Sequence, residues 1–525
     1  MSPVMRSTEL QRSSPLGRLP GRVLSLRDAG VILAVAAVLL VTGFVLWYTS
    51  SGLFPAFPRI QNDYVDLGMS FLQGELSLHE VPDPRLAALG DPYEHTQRKE
   101  IPYHWDASYY EGKYYLYWGP APALVSAALQ AIIGSPPAAS LLVDIAYIGL
   151  MCVAMGLLFQ IARAFGTASR LTVWLFILIG FFNLPMLFTI GQPRHYQASI
   201  VYGQFFLLGG LLGLLLHART RQAIWLIIGG LGWGLAFASR YNLAISVLIY
   251  LSFAVAWLWR DRAAASFWRR LVMLASPLAV CVIALGIYNQ ARFGDPLETG
   301  LAYQLTIPEF RQISYSTAYV RSGLYVYLIY PLTGTETFPF IGSAHFRPAM
   351  LPDSLFIPAG REFDQIAFGL IPTVPAIWLL TLAILLVPVM LPDRTRRPIP
   401  PASGLGPGLV FAMLAAGAAA QFAFLLVFFY VAERYLIDFY VPIVLCLSII
   451  VWRAHAALQR KRYVQIVLWS LVFCLMIWTA AIGYFACFGV PVLVSLTYDP
   501  QMLAGLATFW NQVHETLQLL MRGSS

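Results

Sequence analysis

The chain has 525 residues, of which 58% are hydrophobic and only 11% charged, with a mean hydropathy of +0.67. That balance excludes an ordinary soluble domain and identifies a polytopic membrane protein. The net charge of +8 calls for no nucleic-acid partner, because the basic residues alternate along the chain in a way that topology explains.

A basic tail over 1–28 is expected on the cytoplasmic side. The first apolar run, Gly30 to Tyr48, carries no charge and is long enough to span a bilayer as a retained signal anchor. Further apolar runs fall near 138–162, 171–190, 198–216, 222–238, 241–258, 271–289, 366–390, 407–430, 435–452 and 463–488. The expected fold class is therefore an all-α polytopic membrane protein of about 11 transmembrane helices, one integral unit over 29–490. The tail and the segments around Arg163, Arg219, Arg260–Arg270, Arg394–Arg397 and Arg453–Arg462 hold 20 of the 34 basic residues. The positive-inside rule assigns them to the cytoplasm. Residues 119–133 are also apolar, but a crossing there would put every later basic loop on the wrong side. That segment is expected to be interfacial. Two large outer loops result, 50–137 and 289–364, with an outer-side tail over 491–525 whose residues 500–521 form another candidate interfacial helix. All five cysteines lie in apolar runs, so no disulfide framework is expected.

The first outer loop is acidic, with ten acids and five basic residues between Ser50 and Trp118. Its opening, "NDYVDLGMSFLQGEL", reads as a helix N-capped by Asn62 and ended at Gly74, with Asp63 and Asp66 on one face and Val65, Met69 and Leu72 on the membrane side. Two carboxylates one turn apart suit a general base or a divalent cation, and equally a plain complement to the helix dipole. Further on, "SYYEGKYYLYW" reads as a tyrosine-rich hairpin turning at Glu111-Gly112, with Tyr109, Tyr110, Tyr114 and Tyr115 as cavity-lining or interface-anchoring residues. Asp106 and His104 lie just upstream, and Arg98 lies in the charged "DPYEHTQR".

Later in the chain, Arg240, Arg434 and the pair Arg194-His195 fall in tight outer connections where they could ring one cavity. Each is a candidate phosphate ligand or a snorkelling side chain. Asp144 sits about 10 Å inside the second span, where a carboxylate must face protein or water, with a salt bridge to one of those arginines as the simplest role. The histidines lack zinc spacing, so an expected cation would be oxygen-ligated magnesium, manganese or calcium.

The segments "NDYVDLGMSFLQGEL", "DPYEHTQR", "WDASYYEGKYYLYWGPAPAL", "GLAFASRYN", "IYNQARFGDPLETGLAYQLT" and "ERYLIDFYVP" together resemble the C-type (GT-C) glycosyltransferase superfamily, which includes protein O-mannosyltransferases and aminoarabinose transferases. The resemblance implies transfer of a sugar from a polyprenyl-phosphate donor to a glycan, lipid or protein acceptor at the outer face of a bacterial inner membrane, with inversion. It implies a carboxylate base in the first outer loop: Asp63 first, then Asp66 and Asp106. It implies Arg98, Arg240, Arg434 and His195 as donor-phosphate ligands. The sequence departs from the family in carrying Asn62-Asp63 where an adjacent Asp-Glu pair is usual. A transporter or flippase, a polymerase or ligase using lipid-linked donors, and a non-catalytic scaffold are the rival readings.

Overall fold

The computed structural model describes residues 26–58, 60–261, 267–306, 314–342, 346, 351–352, 355, 357–364, 366–382, 405–489 and 500–523. It is an all-α polytopic membrane protein. Among the described residues eight helices are long and apolar enough to cross a bilayer, or nine if one bent pair counts as a single span.

These helices are α1 (Leu26–Thr49), α4 (Ala139–Ala162), α7 (His195–Thr220), α9 (Ala244–Arg260), α10 (Phe267–Phe293), α11 (Pro407–Val427), α12 (Ile437–Ala457) and α13 (Arg462–Gly489). The short α2 (Asp63–Leu72) and α3 (Ala121–Ile133) precede α4. The bent pair joins α5 (Thr167–Phe181) to α6 (Leu184–Ile190) at 59°. Its break coincides with Asn183, which caps the second segment by accepting from the Met186 amide, and with Pro185 in that segment's first turn. The expected span over 222–238 is the 14-residue α8 (Ile224–Phe237), too short to cross alone at 1.5 Å per residue. The run expected over 366–390 is not one helix. Pro375 interrupts it, giving Leu370–Thr373 and then a tighter turn over Pro375–Leu380, and residues 383–390 lie outside the described set. The basic residues that close α4, α7 and α9 and open α10 and α13 lie at one end of the bundle, and the long polar loops meet at the other. The five cysteines are free.

At the loop end, α2 and α3 pack on each other. Asn62 caps α2 as expected, accepting from the Tyr64 amide at 2.9 Å, and Gly74 follows its end at φ +79°. Part of the face expected to be polar, Asp63 and Ser70, is turned into the protein. Asp63, Tyr64, Leu67, Gly68 and Ser70 turn into the protein, while Leu72 is exposed. The cause is close packing by small residues: a Cβ on Gly68 would lie 2.8 Å from the Ser126 side chain, so only glycine lets the two helices meet here. Gly119 does the same one step earlier, where a Cβ would lie 2.1 Å from the Ala238 carbonyl oxygen. The Ala121 amide donates to that same oxygen at 3.0 Å, which seats α3 against the turn that carries Arg240.

The tyrosine hairpin forms as β1 (Ser108–Tyr110) and β2 (Lys113–Tyr115), antiparallel, with Tyr109 opposite Tyr114. Its turn residues Glu111 and Gly112 are both left-handed, at φ +47° and +75°, the geometry of a two-residue type I′ turn. A second small pairing sets Glu362–Phe363 parallel to Tyr430–Val431.

Candidate active site

The loops and helix ends enclose a cavity of about 960 Å³, at the upper end of the usual range for ligand sites. Asp106 lies on its wall. The backbone holds Asp106 there in an uncommon conformation, φ +68°, with its amide donating to the Leu305 carbonyl at 3.0 Å. The Leu305 amide returns a bond to the Ala107 carbonyl at 2.8 Å, so the second outer loop pairs with the strand that carries the carboxylate. Three neutral groups donate to the Asp106 carboxylate. They are the Tyr117 hydroxyl at 3.2 Å and, in short contacts, the Tyr196 hydroxyl and the Gln304 amide. No cation pairs with it in an ion pair among the described residues.

The cavity's cations sit on α7, α8 and α12 or at their ends. Arg240 is buried and grips Asp438 through Nε and Nη2 at 3.0, 3.1 and 2.7 Å. Its guanidinium lies 5.1 Å from the Tyr435 ring and 5.6 Å from the Trp118 ring. Arg434 bonds Asp364 at 2.5 Å and lies 4.9 Å from the Tyr196 ring. Arg194, at the N-terminus of α7, is exposed to the cavity and meets no carboxylate among the described residues. The end of α11 lines the cavity with Phe424, Leu425 and Phe428, where the Phe424 and Phe428 rings stack at 5.6 Å. One part of the wall is therefore polar and charged, with Asp106, Glu362, Asp364 and Glu433 beside the three arginines, and another is aromatic and aliphatic.

Asp63, the first candidate base, does not line this cavity. It is 4% exposed, and its Oδ2 accepts from His195 Nδ1 at 3.0 Å and His104 Nε2 at 3.2 Å. Burial alone would raise its pKa, but the electrostatic pull of His195 and the hydrogen bonds from both histidines outweigh that and hold the carboxyl well below the usual range. Burial opposes the charged form of His104. The hydrogen bonds and charge of Asp63 and then Glu80 win, lifting it to about 9. His195 is thus engaged by Asp63, although its neighbours Arg194 and Tyr196 both face the cavity.

Asp66 faces a different, smaller hollow of about 530 Å³ beside Glu80, and accepts from the His79 amide at 3.0 Å. Burial is the main reason its pKa is raised. Arg98 is wholly buried away from the cavity, donating to the carbonyls of Tyr93 at 2.7 Å and Pro92 at 3.3 Å, and closely to that of Thr306. A buried guanidinium whose two Nη atoms both donate to backbone carbonyls is a loop strut, which corrects its expected place among the donor ligands. Tyr109 and Tyr114 are buried in the hairpin's core, and Tyr110 and Tyr115 pack on Phe293; none of the four lines the cavity. The tyrosines that do are Tyr117, Tyr196, Tyr241, Tyr315, Tyr430 and Tyr435. Among the described residues Asp144 pairs with no arginine. Thr49 Oγ1 donates to it at 2.7 Å, inside the bundle. Among the described residues no three or more His, Cys, Asp or Glu side chains are grouped to hold a metal ion.

Sequence reasoning missed Tyr196, Gln304 and Asp364, whereas Tyr117 closes the tyrosine-rich stretch expected to line the cavity. Two had a signal, since Tyr196 adjoins His195 in "IGQPRHYQ" and Gln304 lies in "IYNQARFGDPLETGLAYQLT". Asp364 had none, as nothing local shows that it meets Arg434.

The fold and cavity define a class, a multi-pass all-α membrane protein with an enclosed polar and aromatic site at one end of its bundle. No protein-family model matches the chain, and no curated protein does. Among solved structures it is similar to the apo oligosaccharyltransferase of Archaeoglobus fulgidus, with TM-score 0.45 and 12% identity over 88% of this chain and 56% of that one. The archaeal oligosaccharyltransferase AglB of the same organism, in complex with an inhibitory peptide and a dolichol-phosphate, gives TM-score 0.43 and 11% identity over 87% and 56%. The chain thus spans little more than half the length of those chains. Likeness at that level carries no argument about activity.

Proposed function

We propose that the protein is a membrane glycosyltransferase that moves a sugar from a polyprenyl-phosphate donor to an acceptor hydroxyl on a glycan, lipid or protein. The reaction face is the outer one, opposite the basic loops. The observation that carries this reading is the two-natured wall of the large cavity. Asp106, a carboxylate with no ion-paired cation among the described residues, shares it with Arg194, Arg240 and Arg434 and with the acids Glu362, Asp364 and Glu433, and the stacked rings at the end of α11 offer an apolar surface to a lipid chain. A donor of this class has the same two natures, an anionic sugar phosphate joined to a hydrocarbon tail.

In the reaction the acceptor oxygen attacks the anomeric carbon, its C–O bond forms as the C–O bond to phosphate breaks, and configuration inverts. Asp106 takes the acceptor's proton, and the bonding pair leaves with the phosphate. The guanidinium groups stabilise that anion, Arg194 without an ion pair to give up among the described residues and Arg434 by exchanging Asp364 for phosphate oxygens. Tyr117, Tyr196 and Gln304 hold the carboxylate in place.

The test is transfer from a panel of radiolabelled polyprenyl-phosphate sugars by purified protein in liposomes, with a mixed glycan, lipid and peptide acceptor pool. Transfer by wild type and its loss in Asp106→Asn, with donor binding retained, is the expected outcome. Donor crossing the bilayer with no transfer would replace this reading with a transporter.

A further inference from the structure

Asp63 lies outside the cavity, yet its contacts lead back to it by two routes. His104 is two residues before Asp106, and His195 is the residue before Tyr196. Asp106 and Tyr196 bond each other inside the cavity, while His104 and His195 both donate to one oxygen of Asp63 behind it. The contacts and the chain together close a ring: Asp63, His104, Asp106, Tyr196, His195 and back to Asp63. The neighbouring residue adds a further tie, because Asn62 Nδ2 donates to the Pro193 carbonyl at 2.7 Å. The start of α2 therefore clasps both the segment that bears Asp106 and the start of α7.

From this geometry we infer that Asp63 is a positioning residue, an anionic clasp that fixes Asp106 and Tyr196 relative to each other and does not itself touch substrate. The inference rests on the reading of Asp106 as the base. A carboxylate only accepts hydrogen bonds, so both histidine nitrogens that face Asp63 carry protons. His104 also meets Glu80 at 2.6 Å through its other nitrogen, which makes it a cation held between two carboxylates. The titratable groups around the clasp are Asp63, Glu80, His104, His195, Asp66 one turn along α2, and Tyr114, whose hydroxyl accepts from the His104 amide at 3.3 Å. A clasp of this type acts on geometry, and misplacing a catalytic group by about 1 Å costs roughly 10²-fold in rate.

The experiment compares wild type, Asp63→Asn, Asp63→Glu, His195→Asn and Asp106→Asn in liposomes. It reads transfer kcat and KM from pH 5 to 10, carbodiimide modification of Asp106 by peptide mass spectrometry, and monodispersity as the check on folding. Asp63→Asn and His195→Asn are expected to lower kcat about 10-fold to 100-fold with little change in donor KM. Both should raise the modification rate of Asp106, and Asp63→Glu should restore part of each loss. Asp106→Asn should cost more than either. If wild type transfers nothing, the glycosyltransferase reading fails, and the modification rates still decide whether Asp63 holds Asp106. Unchanged Asp106 reactivity in both clasp variants would overturn the inference, as would a loss in Asp63→Asn equal to that in Asp106→Asn with no change in pH profile. Collapse of all the Asp63 and His195 variants to aggregates would count against it too, by showing that the cluster holds the whole loop.

Discussion

Asp63 and Asp106 sit in one loop and differ in what surrounds them. Asp63 is enclosed by histidines and deprived of solvent, so its charge is consumed in holding other residues. Asp106 is surrounded by hydroxyls and an amide, which orient a carboxylate without neutralising it, and it opens on a cavity large enough for a ligand. A buried carboxylate beside a cationic partner is a weak base, whereas one held only by neutral donors keeps its charge uncompensated and still has a lone pair for a proton. The contrast teaches that the acid nearest the first span is not the one that faces the cavity.

The contrast breaks most sharply at Asp106. Asp106→Asn preserves shape and removes the proposed base, so the rate of sugar transfer should fall about 10²-fold to 10⁴-fold, read as kcat in liposomes. Tyr196→Phe removes one of three bonds to that carboxylate and should cost about tenfold in kcat, with donor affinity retained in a binding assay. A pH series reads the His104–Asp63 contact through stability. His104 has its folded pKa raised from 6.5 to about 9, so its stabilising contribution is complete below 6.5 and is lost as pH rises through 9. The carboxyl of Asp63 is depressed, so its contribution holds above the usual carboxylate range and is lost only in acid. Thermal stability should therefore fall between about pH 6.5 and pH 9 in wild type, by an amount on the order of 2 °C, and that step should shrink in Asp63→Asn. The smallest effect belongs to Asp66→Asn. Its side chain faces the lesser hollow and an asparagine oxygen can still accept from the His79 amide, so transfer should stay within about twofold of wild type.

Much of the fold was legible because local chemistry fixes it. Asn62 capped its helix, Gly74 followed its end, Glu111-Gly112 made the hairpin turn, and residues 121–133 formed a short helix packed beside α2. The inward turn of Asp63 was not legible from amphipathicity, because packing between Gly68 and Ser126 set the buried face. The donor candidates divided along a similar line. Arg240 and Arg434 were found from charges in short turns, and both line the cavity. Arg98 looked alike in sequence, but its partners are backbone carbonyls, one of them Thr306, some two hundred residues away. Asp106 became the leading carboxylate only when the second outer loop, through Gln304 and Leu305, closed over it, a pairing that no local pattern encodes.

The measurement that meets the central claim most directly is an electron cryomicroscopy map of the protein in lipid nanodiscs with undecaprenyl phosphate added. The account predicts phosphate density in the large cavity against Arg194, Arg240 and Arg434, with the hydrocarbon chain leaving along Phe424 and Phe428. Lipid density in the hollow beside Asp66 and Glu80, with the large cavity empty, would contradict it.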